Sequence, residues 1–170
     1  ARFAGEVTSA PLPAEVRTPY ILSVGSLRWR KGYKFSITAF SHIAKEYPEL
    51  SYVIVGKRFS EKEYAQMTAL IERLGLLDRV HILDTVDDDS VIRALYVHAY
   101  AFVLLSQNVR HDVEGFGLVF LEAAASGIPA IGAKDSGVVD AMAEGTTGFL
   151  VPPQDTEACA EALRRLLDNK

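Results

Sequence analysis

Two glutamates carry the spacing in this chain that most invites chemistry. Glu114 and Glu122 are separated by seven residues, with Gly115 and Gly117 close behind the first. Glu114 sits in a polar stretch that begins at Ser106, whereas Glu122 is flanked by Phe120, Leu121, Ala123, Ala124 and Ala125. A carboxylate inside so apolar a helix is costly to bury unless hydrogen bonds are donated to it. A sugar diol would supply donors to both of its oxygens. A neighbouring backbone turn or a basic side chain would serve as well, and spacing alone leaves these readings even. The glycines let the backbone amides of Phe116, Gly117 and Leu118 come close to a ligand at the helix N-terminus.

A second cluster lies earlier. Gly25-Ser-Leu-Arg-Trp-Arg-Lys-Gly32 leads directly into a helix. It is neither a Gly-x-Gly-x-x-Gly dinucleotide fingerprint nor a P-loop ending in Gly-Lys-Ser/Thr. Instead Arg28, Arg30 and Lys31 gather at a helix mouth, where free amides already favour an anion. Cations this close repel one another unless they face water or a polyanion. The stretch is therefore either a solvated basic turn or a diphosphate site with Lys31 as its charged donor. Trp29, between the arginines, is either a platform for a ligand or a partly buried anchor.

The remaining candidates are weaker. His42, His81, His98 and His111 lack metal-ligand spacing. The first three fall in expected helices or strands and read as structural, while His111 belongs to Arg110-His111-Asp112, just ahead of Glu114. Cys159 sits in a helical pattern as a packing or surface residue. Ser106 lacks the Gly-x-Ser-x-Gly elbow of a hydrolase. Asp87-Asp88-Asp89 opens a helix and reads as capping and dipole compensation, not as a metal site.

Positioning these groups requires a regular succession of elements. Short apolar runs closed by glycine or turn residues predict strands at Tyr20–Val24, Tyr52–Val55, Val80–Leu83, Ala101–Leu105, Ile128–Ile131 and Gly148–Val151. Helical spacing separates them: Phe35 to Ile43 ahead of Pro48, Tyr64 to Leu74 ahead of Gly75, and Val91 to Tyr96. It continues at Gly117 to Ser126, Val138 to Ala143 and Thr156 to Asp168. Apolar strands alternating with helices predict an α/β fold, a doubly wound parallel sheet of about six strands, Rossmann-like in its layers. Ligands then belong beyond the carboxyl ends of the strands, where both clusters fall.

Composition bounds the rest. The chain's 170 residues suit one domain, 49% of them hydrophobic and 24% charged. No run approaches the ~18 apolar residues of a membrane span. With 18 basic against 22 acidic side chains, net charge −4, bulk charge does not draw the chain to nucleic acid. A single cysteine suits a reducing compartment. Residues 1–19 hold Pro11, Pro13 and Pro19 without any period. They read as a linker or interdomain lead-in with no signal-peptide core, ahead of a domain at 20–170.

The stretch Glu114-Gly-Phe-Gly-Leu-Val-Phe-Leu-Glu-Ala-Ala-Ala-Ser-Gly-Ile-Pro129 resembles the E-x7-E signature of retaining glycosyltransferases with the GT-B fold. More narrowly, it resembles glycosyltransferase family 4 (group 1). Val24-Gly-Ser-Leu with Lys31-Gly32, Val53-Ile-Val-Gly56, Arg79-Val-His-Ile-Leu83 and Gly145-Thr-Thr-Gly-Phe-Leu-Val-Pro152 resemble further segments of that family, in its order. The resemblance runs from Tyr20 to the C-terminus. It departs at Ser26, where many members carry arginine, and at Ser136 and Val139, which replace a glycine and the proline of a Gly-Gly-x-Pro-Glu turn.

The resemblance implies one half of a GT-B fold, its C-terminal donor-binding domain. It implies transfer of a hexosyl unit from a nucleotide diphosphate sugar to a glycan or lipid-linked acceptor. Glu114 would contact the transferred sugar, Glu122 the ribose, and Lys31 the diphosphate. The amides of Phe116, Gly117, Leu118 and Val119 would meet sugar and phosphate, with Gly25, Ser26 and Arg30 completing the donor loop. Arg28 or Arg30 would supply the charge that Ser26 lacks. Base contacts would come from backbone near Gly56 and Val86. No cofactor or metal is expected.

The partners implied are a UDP-, GDP- or ADP-sugar and a missing N-terminal acceptor-binding domain, through which alone any membrane contact would run. The compartment implied is the cytoplasm, including the inner face of a membrane. A glycogen- or starch-synthase-like glucosyltransferase domain and a non-catalytic nucleotide-sugar-binding module are the alternatives. Without the acceptor domain the chain is expected to be inactive in transfer.

Overall fold

The computed structural model describes residues 10–107, 117–134 and 137–168. Six parallel strands form one sheet: β1 (Tyr20–Val24), β2 (Ser51–Val55), β3 (Val80–Leu83), β4 (Ala101–Leu104), β5 (Ala130–Ala133) and β6 (Gly148–Val151). Their spatial order is β3-β2-β1-β4-β5-β6, so the chain winds one way from β1 to β3 and the other way from β4 onward. Helices α1 (Tyr33–Ile43), α2 (Glu61–Arg73), α3 (Asp89–His98), α4 (Leu118–Ala125) and α5 (Thr156–Asp168) form the connections. This is the doubly wound Rossmann-like layer that the apolar runs predict. Every residue of β1, β2, β4 and β5 is buried. Strands covered on both faces need no alternation, which is why they read as unbroken apolar runs.

Several bounds shift by a few residues, β4 ending at Leu104 and not Leu105, and two differences have a local cause. The fifth strand begins at Ala130, not Ile128. Pro129 has no N–H for a ladder and only accepts, from the Phe102 amide at 2.8 Å, so regular pairing starts after it. The helix expected at Val138–Ala143 is a 3-10 turn, Gly137–Asp140. A glycine and two β-branched valines disfavour an α-helix there.

A buried polar network pins the layers around the sheet's centre. The hydroxyls of Ser23 (β1) and Tyr52 (β2) lie 2.7 Å apart, and Tyr52 donates to Ser36 Oγ of α1 at 2.8 Å. Ser23 also donates to the Val103 carbonyl of β4. Burial raises the Tyr52 pKa far above the usual phenol value, so this hydroxyl stays protonated. Ahead of β1, Leu12 and Val16 pack against the core, and Ser51 Oγ donates to the Arg17 carbonyl at 3.0 Å. Residues 10–19 thus run along the molecule with no helix or strand before Tyr20.

Candidate functional site

The strand order reverses between β1 and β4, so the loops after these two strands lie at a topological switch point. The loop after β1 carries the basic cluster. Trp29–Lys31 form a 3-10 turn closed by Gly32, whose φ is 74°. A Cβ on Gly32 would stand 1.9 Å from the Leu105 carbonyl oxygen, so glycine is required for the two loops to meet. The Gln107 amide reinforces the junction by donating to the Arg30 carbonyl at 2.7 Å. Lys31 is only 8% exposed, unusually buried for a lysine. Its aliphatic stem lies over Gly25, with Cε 3.5 Å from where a Cβ would be. The Tyr33 hydroxyl holds the Gly25 carbonyl at 2.7 Å. Arg28 is directed elsewhere: its guanidinium stacks 3.3 Å over the Phe59 ring in the loop after β2.

The second cluster is described in part. Glu114, Phe116, His111 and Ser136 lie outside the described residues. Gly117 opens α4 at φ 72° as its N-cap, and a glycine has no side chain with which to cap the amides of Leu118 and Val119. Glu122 is half-buried in α4 and accepts a hydrogen bond from the Tyr96 hydroxyl at 3.0 Å. Tyr96 is fully buried on α3, stacked on Phe102 with centroids 5.6 Å apart. The donor of this contact is a tyrosine, which the spacing of the glutamates does not suggest. Nothing in the local sequence around Tyr96 marks it as the carboxylate's partner.

Beyond the carboxyl ends of β1 and β2 opens a cavity of about 300 Å³. Val24, Val55, Val86 and Ile92 give it apolar walls, and Gly25, Ser26 and Gly56 contribute backbone. Lys57 and Asp87, an exposed ion pair at 3.3 Å, complete the lining. The triple aspartate therefore divides its work. Asp88 is the N-cap of α3, accepting from the Ser90 hydroxyl and the Ser90 amide, each at 2.7 Å, and those hydrogen bonds lower its pKa. Asp89 stands in the first turn, while Asp87 belongs to the cavity.

The other candidates are structural. His42 Nδ1 pairs with Glu157 at 2.7 Å, and His98 ends α3. His81 lies within β3, where burial, aided by Arg17, lowers its pKa. Cys159 is fully buried, and burial pushes its thiol up to about 12, which suppresses the reactive thiolate.

The fold is a doubly wound α/β domain whose candidate loops gather at a topological switch point. The chain belongs to the glycosyl transferases group 1 family, whose model matches residues 6–170. It is one half of a GT-B fold. It is 32% identical over 172 residues to a D-inositol 3-phosphate glycosyltransferase of Corynebacterium glutamicum, covering 98% of this chain but 39% of that relative. The C-terminal domain of LpcC, a glycosyl transferase group 1 protein from Francisella tularensis, superposes with a TM-score of 0.77 at 25% identity. That match covers 93% of this chain and 85% of the other. HepE from Anabaena, solved in complex with UDP, superposes with a TM-score of 0.77 at 26% identity, over 88% of this chain and 39% of that one. No helix among the described residues is long and apolar enough to cross a membrane.

Proposed function

We propose that this chain is the donor-binding domain of a retaining, family 4 glycosyltransferase that moves a hexosyl unit from a nucleotide diphosphate sugar to a glycan or lipid-linked acceptor. The observation that carries the reading is Lys31. It is a buried cation packed on Gly25, and Gly25 itself lines the cavity beyond β1 and β2. A cation held beside that cavity suits a phosphate, and the neighbouring apolar walls suit a heterocycle. The complex of HepE with UDP supports the same ligand class.

In this reading the base enters the cavity, the ribose diol donates to Glu122, and the diphosphate lies between Lys31 and the amides that open α4. Gly25, Ser26 and Arg30 line its course. Tyr96 holds the Glu122 carboxylate in place for the ribose. Glu114 and the Phe116 amide contact the transferred sugar. Departure of the nucleoside diphosphate builds negative charge, which Lys31 and the preorganised amides stabilise without a metal. Residues 1–19 form the lead-in from a separate acceptor domain across the cleft. That domain makes any contact with a membrane, and the enzyme works in the cytoplasm or at the membrane's inner face.

Calorimetry with UDP, GDP and ADP, and with sugars attached to each, tests the reading. Saturable binding of at least one nucleoside diphosphate is expected. Failure of all three to bind would remove the donor assignment.

A further inference from the structure

Among the described residues, Gln154 alone has a positive φ without being a glycine, at 62°. It lies between β6 and α5, third in the turn Pro152-Pro153-Gln154-Asp155. The Asp155 amide closes that turn by donating to the Pro152 carbonyl at 3.3 Å. Proline second and a positive φ third is the pattern of a type II turn, where glycine is the ordinary third residue. A glutamine is strained there, and such a conformation persists where surrounding contacts hold it. The start of α5 does not use its side chain, because Asp155 accepts from the Ala158 amide at 2.9 Å. Instead the Gln154 amide leaves its own turn. Its Nε2 donates to Oε1 of Gln107, 47 residues away in sequence, at 3.2 Å.

Gln107 connects this contact to the donor loops. It is buried, and its backbone amide donates to the Arg30 carbonyl at 2.7 Å, within the turn that carries Lys31. Two residues earlier, the Leu105 carbonyl occupies the space that a side chain at Gly32 would need. The segment after β4 thus braces the Trp29–Lys31 turn at Arg30 and Gly32, and Gln154 ties that segment to the loop after the edge strand β6. We propose that Gln154 is a positioning residue for the donor's diphosphate. Through Gln107 it keeps the segment after β4 against the turn that places Lys31. Gln154 itself touches no ligand in this scheme. The proposal rests on the reading of Lys31 as the cation that meets the diphosphate.

The strained backbone makes the test selective. Gln154→Gly removes the amide but suits the positive φ, so the variant should be at least as stable as wild type in denaturant. Gln154→Asn also tolerates that φ, while its amide ends one methylene short of Gln107. Calorimetry of both variants and wild type uses UDP, GDP and ADP, and the nucleosides uridine, guanosine and adenosine. Each variant should lose about three- to tenfold in affinity for whichever diphosphate the wild type binds, the scale of one neutral hydrogen bond. Nucleoside affinity should stay as in wild type, because Lys31 meets only the phosphates. Three results would each overturn the proposal: undiminished diphosphate binding, equal losses for nucleoside and diphosphate, or stability falling in step with affinity. A wild-type chain that binds none of the three diphosphates would sink the donor reading itself. Wild-type binding with unaffected variants would remove Gln154 alone.

Discussion

Lys31 and the glutamate pair can be told apart by the ligands they should affect. If Lys31 holds the diphosphate as proposed, Lys31→Ala should remove one charge-assisted hydrogen bond, worth about 1.5–3 kcal/mol, or about one to two decades of affinity. Titration calorimetry should show that loss for nucleoside diphosphates and little change for nucleosides. Equal losses would place Lys31 away from the phosphates. Glu122→Ala should weaken every nucleotide ligand, because the ribose is common to them all. A 2′-deoxyribose analogue should bind the wild type poorly for the same reason, and equal binding would leave Glu122 no diol to hold. Glu114→Ala should spare free diphosphate and lower the turnover of the complete enzyme, since a contact made to the departing sugar strengthens as the bond breaks. A Glu114 variant that loses free diphosphate as severely as the Glu122 variant would reverse these roles.

At the scale of elements, the junction between the β1 and β4 loops rests on Gly32. Gly32 and Gly75 share a left-handed backbone, at φ 74° and 68°. A side chain at Gly75 meets nothing within 4 Å, whereas one at Gly32 runs into the Leu105 carbonyl. Gly75→Ala should therefore cost only backbone strain, about 1–3 kcal/mol. Gly32→Ala should cost more, because the loop must also move away from β4 and carry Lys31 with it. Denaturant midpoints of the two variants measure the difference, and nucleotide affinity should fall in the Gly32 variant alone. Equal destabilisation with intact binding would mean that the two loops need not touch for Lys31 to be placed.

For the whole molecule, the reading as one half of a two-sided cleft has a direct consequence. The chain spans 39% of the Corynebacterium relative's length. The 170-residue chain alone should bind a nucleoside diphosphate yet transfer no sugar to an added glycan or lipid acceptor. Slow hydrolysis of the donor fits this view, since water reaches an open half-site. Radiolabelled-sugar transfer by this chain, at rates that grow with acceptor concentration, would show that the acceptor site lies within it.

Much of this architecture is legible without coordinates, and the reason is local. A parallel sheet covered on both faces buries its central strands completely, so Tyr20–Val24 announces itself as an apolar run with the right ends. Thr156–Asp168 is equally plain from its helical stripe. The E-x7-E spacing and the basic cluster also lie within single short segments. Side-chain partners are another matter, because the crossovers choose them. Tyr96 reaches Glu122 across 26 residues, and Glu63 meets the Trp29 amide across 34. Asp87 looks like one of three capping residues until the loop after β2 brings Lys57 to it. Periodicity reports which face of a segment is buried; only the winding order of the sheet decides which distant segment it is buried against.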